Sequence, residues 1–155
     1  MSDSRANSKS RIVPPAPLPY VSRRALRRVK DRIDPPSSCP YCDGPVALVE
    51  NSEIYNGRSY GDWPYAYLCA PCDAYVGLHP HTDLPLGTLA NRELRSVRSQ
   101  AKVAWQAVSR ARGWDRSLAY QWLASEMGIP AAECHFGHFN LERALAAREI
   151  CESAT

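Results

Sequence analysis

Two Cys-x-x-Cys pairs constrain this chain more than any other feature. Cys39-Pro40-Tyr41-Cys42 and Cys69-Ala70-Pro71-Cys72 are separated by 26 residues, room for two or three short strands. Each pair sets two thiolates on one side of a tight knuckle, and two such knuckles close a tetrahedron with sulfur about 2.3 Å from a central Zn²⁺. That spacing predicts a zinc ribbon in which Cys39, Cys42, Cys69 and Cys72 hold one structural zinc. Four thiolates saturate the ion and leave no position for water or substrate. Iron accepts the same ligands, and a thioredoxin-like redox pair would need only one of the two motifs. Asp43-Gly44 supplies the conformational freedom that the exit of the first knuckle needs, whereas the second leaves through Asp73-Ala74.

The sequence around the knuckles predicts an α+β fold: a small antiparallel sheet followed by three packed helices. Val46–Val49, Tyr65–Leu68 and Ala74–Leu78 read as strands, with Asn56-Gly57 as a turn between the first two. A ribbon over 39–84 then gives way to helices over 88–152. Thr88 is the expected cap of a helix with Leu94, Val97, Ala101, Trp105 and Val108 on one face. Asp115 caps a second helix, stopped by Gly128 and Pro130, and Asn140 a third. Trp105, Trp114 and Trp122 are expected to pack the helices on one another and on the ribbon.

Residues 1–38 differ from the rest in charge. They hold nine Lys+Arg against three Asp, net +6, while residues 39–155 hold ten against thirteen, net −3. Together with Pro14, Pro15, Pro17 and Pro19, this predicts a flexible basic arm carrying one short helix within Val21–Ile33 and preceding a single body at 39–155. The polar start Met1-Ser2-Asp3-Ser4-Arg5 and the lack of a long apolar run predict a cytoplasmic chain with no membrane partner.

A basic arm seeks an acidic partner, and DNA or RNA is the commonest. Arg23, Arg24, Arg27, Arg28, Lys30 and Arg32 stand on the arm. Arg92, Arg95, Arg98 and Lys102 step by three or four along the first long helix and share one face that could meet phosphates. The same stripe also fits a merely solvated face opposite Leu94, Val97 and Ala101. Tyr55, Tyr60, Trp63, Tyr65 and Tyr67 either stack on bases or build the ribbon core. The competing expectation is a protein-interaction module, its partner a host protein. Residues 118–146 are a poor helix-turn-helix, because Gly137 would interrupt a recognition helix begun at Ile129-Pro130.

Enzymatic readings are weaker. His79-Pro80-His81 followed by Asp83 resembles part of a hydrolytic metal site, yet H-E-x-x-H, G-x-S-x-G and P-loop patterns are all lacking. Cys134, His135, His138 and Cys151 offer a conceivable second metal site without paired-knuckle spacing. The favoured reading keeps both thiols as small buried hydrophobes and assigns no catalytic residue.

The run Cys69 to Arg95 resembles the small zinc-finger-containing domain family of bacteriophages, prophages and bacteria. The likeness continues through Ser117–Ala124, Met127-Gly128-Ile129 and His135–Asn140, and covers residues 39 to about 151. It implies the four-cysteine zinc site and a phage or prophage origin, with action in the host cytoplasm. His135-Phe136-Gly137 comes with the resemblance as a feature without an assigned role. Leu78 stands where relatives often carry Cys, and Lys102 where they often carry His.

Overall fold

The computed structural model describes residues 3–155. The chain divides into two compact units, the first ending at Asn91 and the second spanning Arg92–Thr155. The sequence reading divides it after Ser38, whereas here residues 3–38 share a unit with the ribbon.

The first unit is built on a three-stranded antiparallel sheet, β1 (Ala47–Glu50), β2 (Tyr65–Cys69) and β3 (Ala74–Gly77), in the order β1-β2-β3. Cys69 closes β2 opposite Ala74 on β3, so the second knuckle is itself the β2–β3 turn. The longer β1–β2 connection is tied by the Asn51 side chain, which donates to the Tyr60 carbonyl (2.9 Å) and accepts from the Tyr60 N–H (3.2 Å). Asn56 and Gly57 both have positive φ, 54° and 87°, as a tight turn of this kind requires. Tyr67, Leu78, Leu89 and Leu18 pack with Cys39 and Cys69 as the core beneath the sheet.

The arm is folded onto this core. Its helix α1 (Arg23–Arg28) is shorter than the apolar spacing over 21–33 predicts. Ser22 caps it by accepting from the Ala25 N–H, and Val29 already turns extended (φ −82°, ψ 111°). Burial explains the early stop: leaving the helix lets Val29 join Leu26, Ala6 and Leu84 in a second apolar cluster. A polar bond seals the same region, with the Arg5 guanidinium gripping both carboxylate oxygens of Asp83 at 2.9 and 2.8 Å while also pairing with Asp3. Asp3 and Asp83 are both buried.

The second unit comprises α2 (Arg92–Arg112), α3 (Arg116–Met127) and α4 (Leu141–Ser153). The α2 start lies four residues beyond the expected cap Thr88. Backbone pairing accounts for the delay, because Ala90 exchanges hydrogen bonds with Tyr75 of β3 (3.0 and 3.3 Å) and holds this stretch extended. The other caps stand as read: Asp115 accepts from the Leu118 N–H and Asn140 from the Arg143 N–H, both at 2.8 Å. Gly128 ends α3 with φ 67°, the left-handed conformation that favours glycine. α2 packs chiefly on α4, where Ala101, Ala144 and Ala147 are fully buried and let the backbones approach. Trp105 donates to the Ala119 carbonyl of α3 (3.2 Å), and Trp114 and Trp122 face each other at 5.5 Å beneath Arg112. Between α3 and α4 two short 3₁₀ turns, Ala131–Glu133 and Phe136–His138, replace any recognition helix.

Candidate metal centre

The two knuckles have the same backbone course. The Asp43 N–H donates to the Cys39 carbonyl and the Asp73 N–H to the Cys69 carbonyl, each at 2.9 Å. Asp43 and Asp73 both sit at φ 59°. Of the Asp43-Gly44 pair it is the aspartate that supplies the conformational freedom, a residue that tolerates the left-handed region better than most. This equivalence also answers why the second knuckle manages without a glycine.

Gly44 has a steric role instead. A Cβ there would lie 3.1 Å from the Cys42 Sγ and 3.5 Å from the Cys69 Sγ. The glycine thus lets the backbone pass the sulfurs without crowding, where a Cβ would require the Cys42 Sγ to give by a few tenths of an ångström. The Gly44 carbonyl meanwhile accepts from the Cys39 N–H (2.9 Å), fastening the first knuckle.

The four Sγ atoms all lie within 4.8 Å of one another. Cys39 and Cys72 approach to 3.3 Å and Cys42 and Cys69 to 3.4 Å. A tetrahedral zinc with 2.3 Å bonds has sulfur–sulfur edges of about 3.8 Å, between these closest approaches and the 4.8 Å upper limit. Disulfides are excluded, since all six cysteines are free and a bonded pair would sit at about 2.05 Å. The donor set and its spacing fit one zinc ion held by Cys39, Cys42, Cys69 and Cys72. Bound there, zinc would supply a structural cross-link with no open coordination position.

Burial and hydrogen bonding pull the thiols of this cluster in opposite directions. Burial pushes the Cys69 thiol up to about 12. At Cys39 burial acts in the same direction but is outweighed by hydrogen bonds, first from the Tyr41 N–H (3.4 Å), which bring the thiol down to about 7. One thiolate is thus stabilised by backbone donors, while another needs a positive ion to form.

A model of the zinc-finger-containing domain family matches residues 35–153. The chain belongs to this family. No curated protein and no solved structure matches it. The zinc-finger-containing domain thus spans both compact units, adding α2–α4 to the ribbon.

The remaining candidates fall elsewhere in this domain. Among the described residues, the four cysteines are the only group of three or more Cys, His, Asp or Glu placed to hold a metal. The His79–Asp83 segment is committed to structure. Asp83 is taken by Arg5, and His81 Nδ1 lies 2.7 Å from the Tyr20 hydroxyl in an aromatic cluster with Trp63. Thr82 donates through its hydroxyl to the His79 carbonyl (2.8 Å), closing the turn. Cys134 and Cys151 are buried, and burial raises both thiols to about 11, as small apolar residues would behave.

The basic residues divide by employment. Arg23 donates to the Ser8 and Ser10 carbonyls, Arg32 pairs with Asp3 and Asp34, and Arg98 donates twice to the Phe139 carbonyl (3.0 and 2.7 Å). Those three brace the fold. Arg24, Arg27, Arg28, Lys30, Arg92 and Lys102 are exposed, and Arg95 is half-buried. Of the aromatic set, Tyr67 is core and donates to the Asp83 carbonyl (2.6 Å), and Trp63 donates to Thr82 (2.9 Å). Tyr55 and Tyr60 pack edge to face at 4.9 Å and stay exposed. Arg110 and Arg116, outside the set the sequence predicts, are exposed as well. A signal existed for Arg110, which lies two four-residue steps beyond Lys102 on the same helical face.

Proposed function

We propose that this protein is a non-catalytic nucleic-acid-binding domain whose zinc staples the fold and whose helices α1 and α2 carry the phosphate contacts. The observation behind this reading is the charge on those helices. α2 bears six Lys+Arg against the single Glu93. On α1, Arg24, Arg27 and Arg28 are exposed, and among the described residues no carboxylate pairs with them. Exposed cations, here Arg24, Arg27 and Arg28 on α1 and Arg92 and Lys102 on α2, release counterions when they meet phosphate, which drives binding to DNA or RNA. The reduced thiol cluster suits a cytoplasmic setting, and no described helix is long and apolar enough to cross a membrane.

Residues 39–91 favour one other reading. They hold only Arg58 against six Asp+Glu, and even with the buried Asp83 paired to Arg5 the acids outnumber the base, so this surface would repel phosphate and attract a basic protein face. A phage- or prophage-encoded module acting on host transcription or defence machinery would use such a surface. Fluorescence anisotropy with labelled 20-mers, single- and double-stranded, at two salt concentrations separates the two. Binding that falls steeply with salt and weakens when Arg24, Arg27 and Arg28 become Ala supports nucleic acid. An absence of binding at low salt, on protein with one zinc per chain, contradicts it and favours the protein partner.

A further inference from the structure

The second unit holds a cleft that no cysteine or sequence motif announces. It opens between the C-terminal half of α2 and the start of α3, with a volume of about 570 Å³. Lys102, Gln106 and Arg110 line one wall at successive four-residue steps, and Arg116 and Tyr120 line the other. A second hollow of about 530 Å³ shares Arg116 and Tyr120 and continues past Gln121 to His135. Neither hollow is lined by Asp or Glu. Three cations therefore face a concave surface without an acid to neutralise them, which focuses positive potential into the cleft.

Aromatic side chains are built into the same groove. Tyr120 lies against Trp105 with ring centroids 4.4 Å apart, and the Arg116 guanidinium sits 5.6 Å from the centre of the Tyr120 ring. His135 follows at 6.1 Å from Tyr120. Trp105 is buried and anchored through its indole N–H, so it backs Tyr120 rigidly while Tyr120 and His135 remain partly open. Gln106 and Gln121 add exposed amides able to donate and accept. Lys102 and Arg110 are separated by about 12 Å along the helix, at 1.5 Å per residue.

From this we infer that the α2–α3 groove binds a single-stranded segment of nucleic acid, with Lys102, Arg110 and Arg116 on phosphates of the strand and the Tyr120–His135 edge against unpaired bases. The inference rests on the nucleic-acid reading and sharpens it, because a groove joining cations to aromatic rings takes a flexible strand whose bases are free. A duplex hides its base faces and would meet the outer cations alone. DNA and RNA strands share the required chemistry.

The test uses the full zinc-loaded chain with oligo(dT), oligo(U) and a duplex of matched length. A variant carrying Lys102→Ala, Arg110→Ala and Arg116→Ala is compared with one carrying Arg24→Ala, Arg27→Ala and Arg28→Ala. All six side chains are exposed or partly so, and unchanged zinc content and circular dichroism confirm the fold. The expected result is tighter binding of a single strand than of duplex, weakened at least ~10-fold in the groove variant. Its log–log salt slope should fall by about 2, at roughly 0.7 per lost phosphate contact. The α1 variant should keep the preference for single strands. A strand substituted with 5-bromouracil should crosslink within residues 116–135. Equal affinity of wild type and groove variant, or crosslinks confined to residues 3–91, overturns the groove while leaving the nucleic-acid reading in place. Failure of the wild-type chain to bind any of the three probes overturns both.

Discussion

The two halves of this molecule solve the stability problem by different means. In the second unit α2 and α4 bury a continuous row, Leu94, Val97, Ala101, Trp105 and Val108 against Ala144, Ala147 and Cys151, and apolar burial suffices. The first unit has three strands of four or five residues, and two of its buried core residues are the ligand cysteines Cys39 and Cys69. A sheet so small lies below what burial usually sustains and calls for a staple. The zinc-finger-containing domain therefore joins a unit that depends on an ion to one that does not.

Removing the ion gives the largest expected effect. Structural zinc contributes about 10–16 kcal/mol in zinc-finger peptides, as much as the whole stability of an ordinary domain. Chelation, or Cys69→Ser, should unfold the ribbon and leave the α2–α4 helical signal in far-ultraviolet circular dichroism. Overpacking the other half is the converse: Ala144→Leu at a fully buried α4 position should cost the helical unit about 1–3 kcal/mol in denaturant melts, with zinc content unchanged.

Gly44→Ala probes the knuckle alone. Its Cβ would press on the Cys42 Sγ at 3.1 Å, so zinc should be lost to a chelator roughly tenfold more readily, about 1.4 kcal/mol. Arg5→Ala is comparable in size, because it strips both buried carboxylates, Asp3 and Asp83, of their main partner. A loss of about 1–3 kcal/mol from the first unit is expected in denaturant melts, together with faster proteolysis of residues 3–38. The pH dependence of this latch has a definite sign. Hydrogen bonds from Arg5 hold the Asp3 carboxyl well below its ordinary value of 3.8. A depressed folded-state pKa gives stability that is complete above about pH 4 and is lost as the pH falls below it. The smallest effect on the fold belongs to Arg24, Arg27 and Arg28: their replacement by Ala should stay within about 0.5 kcal/mol.

The sequence makes the metal centre legible because Cys-x-x-Cys spacing is a local geometric requirement, satisfied within four residues each time. The helix caps Asp115 and Asn140 are legible for the same reason. What escaped was long-range. Arg5 meets Asp83 across 78 positions, with no periodicity to announce it. That pairing and the Leu26–Leu84 cluster bring the basic arm into the ribbon unit. The delayed start of α2 likewise depends on Ala90 finding Tyr75 on a strand formed earlier in the chain. At the first knuckle exit the Asp43-Gly44 pair is legible, but not the division of labour within it: Asp43 carries the positive φ, and Gly44 spares the sulfurs a close contact. The α2–α3 groove needs residues from two helices, so neither helix alone reveals it.

Hydrogen–deuterium exchange on the intact chain, with zinc counted before and after chelation, tests the contrast between the two units most directly. Chelation is expected to remove protection across residues 39–91 and to leave that of α2 and α4 in place. Loss of protection in both units, or in neither, would contradict that contrast.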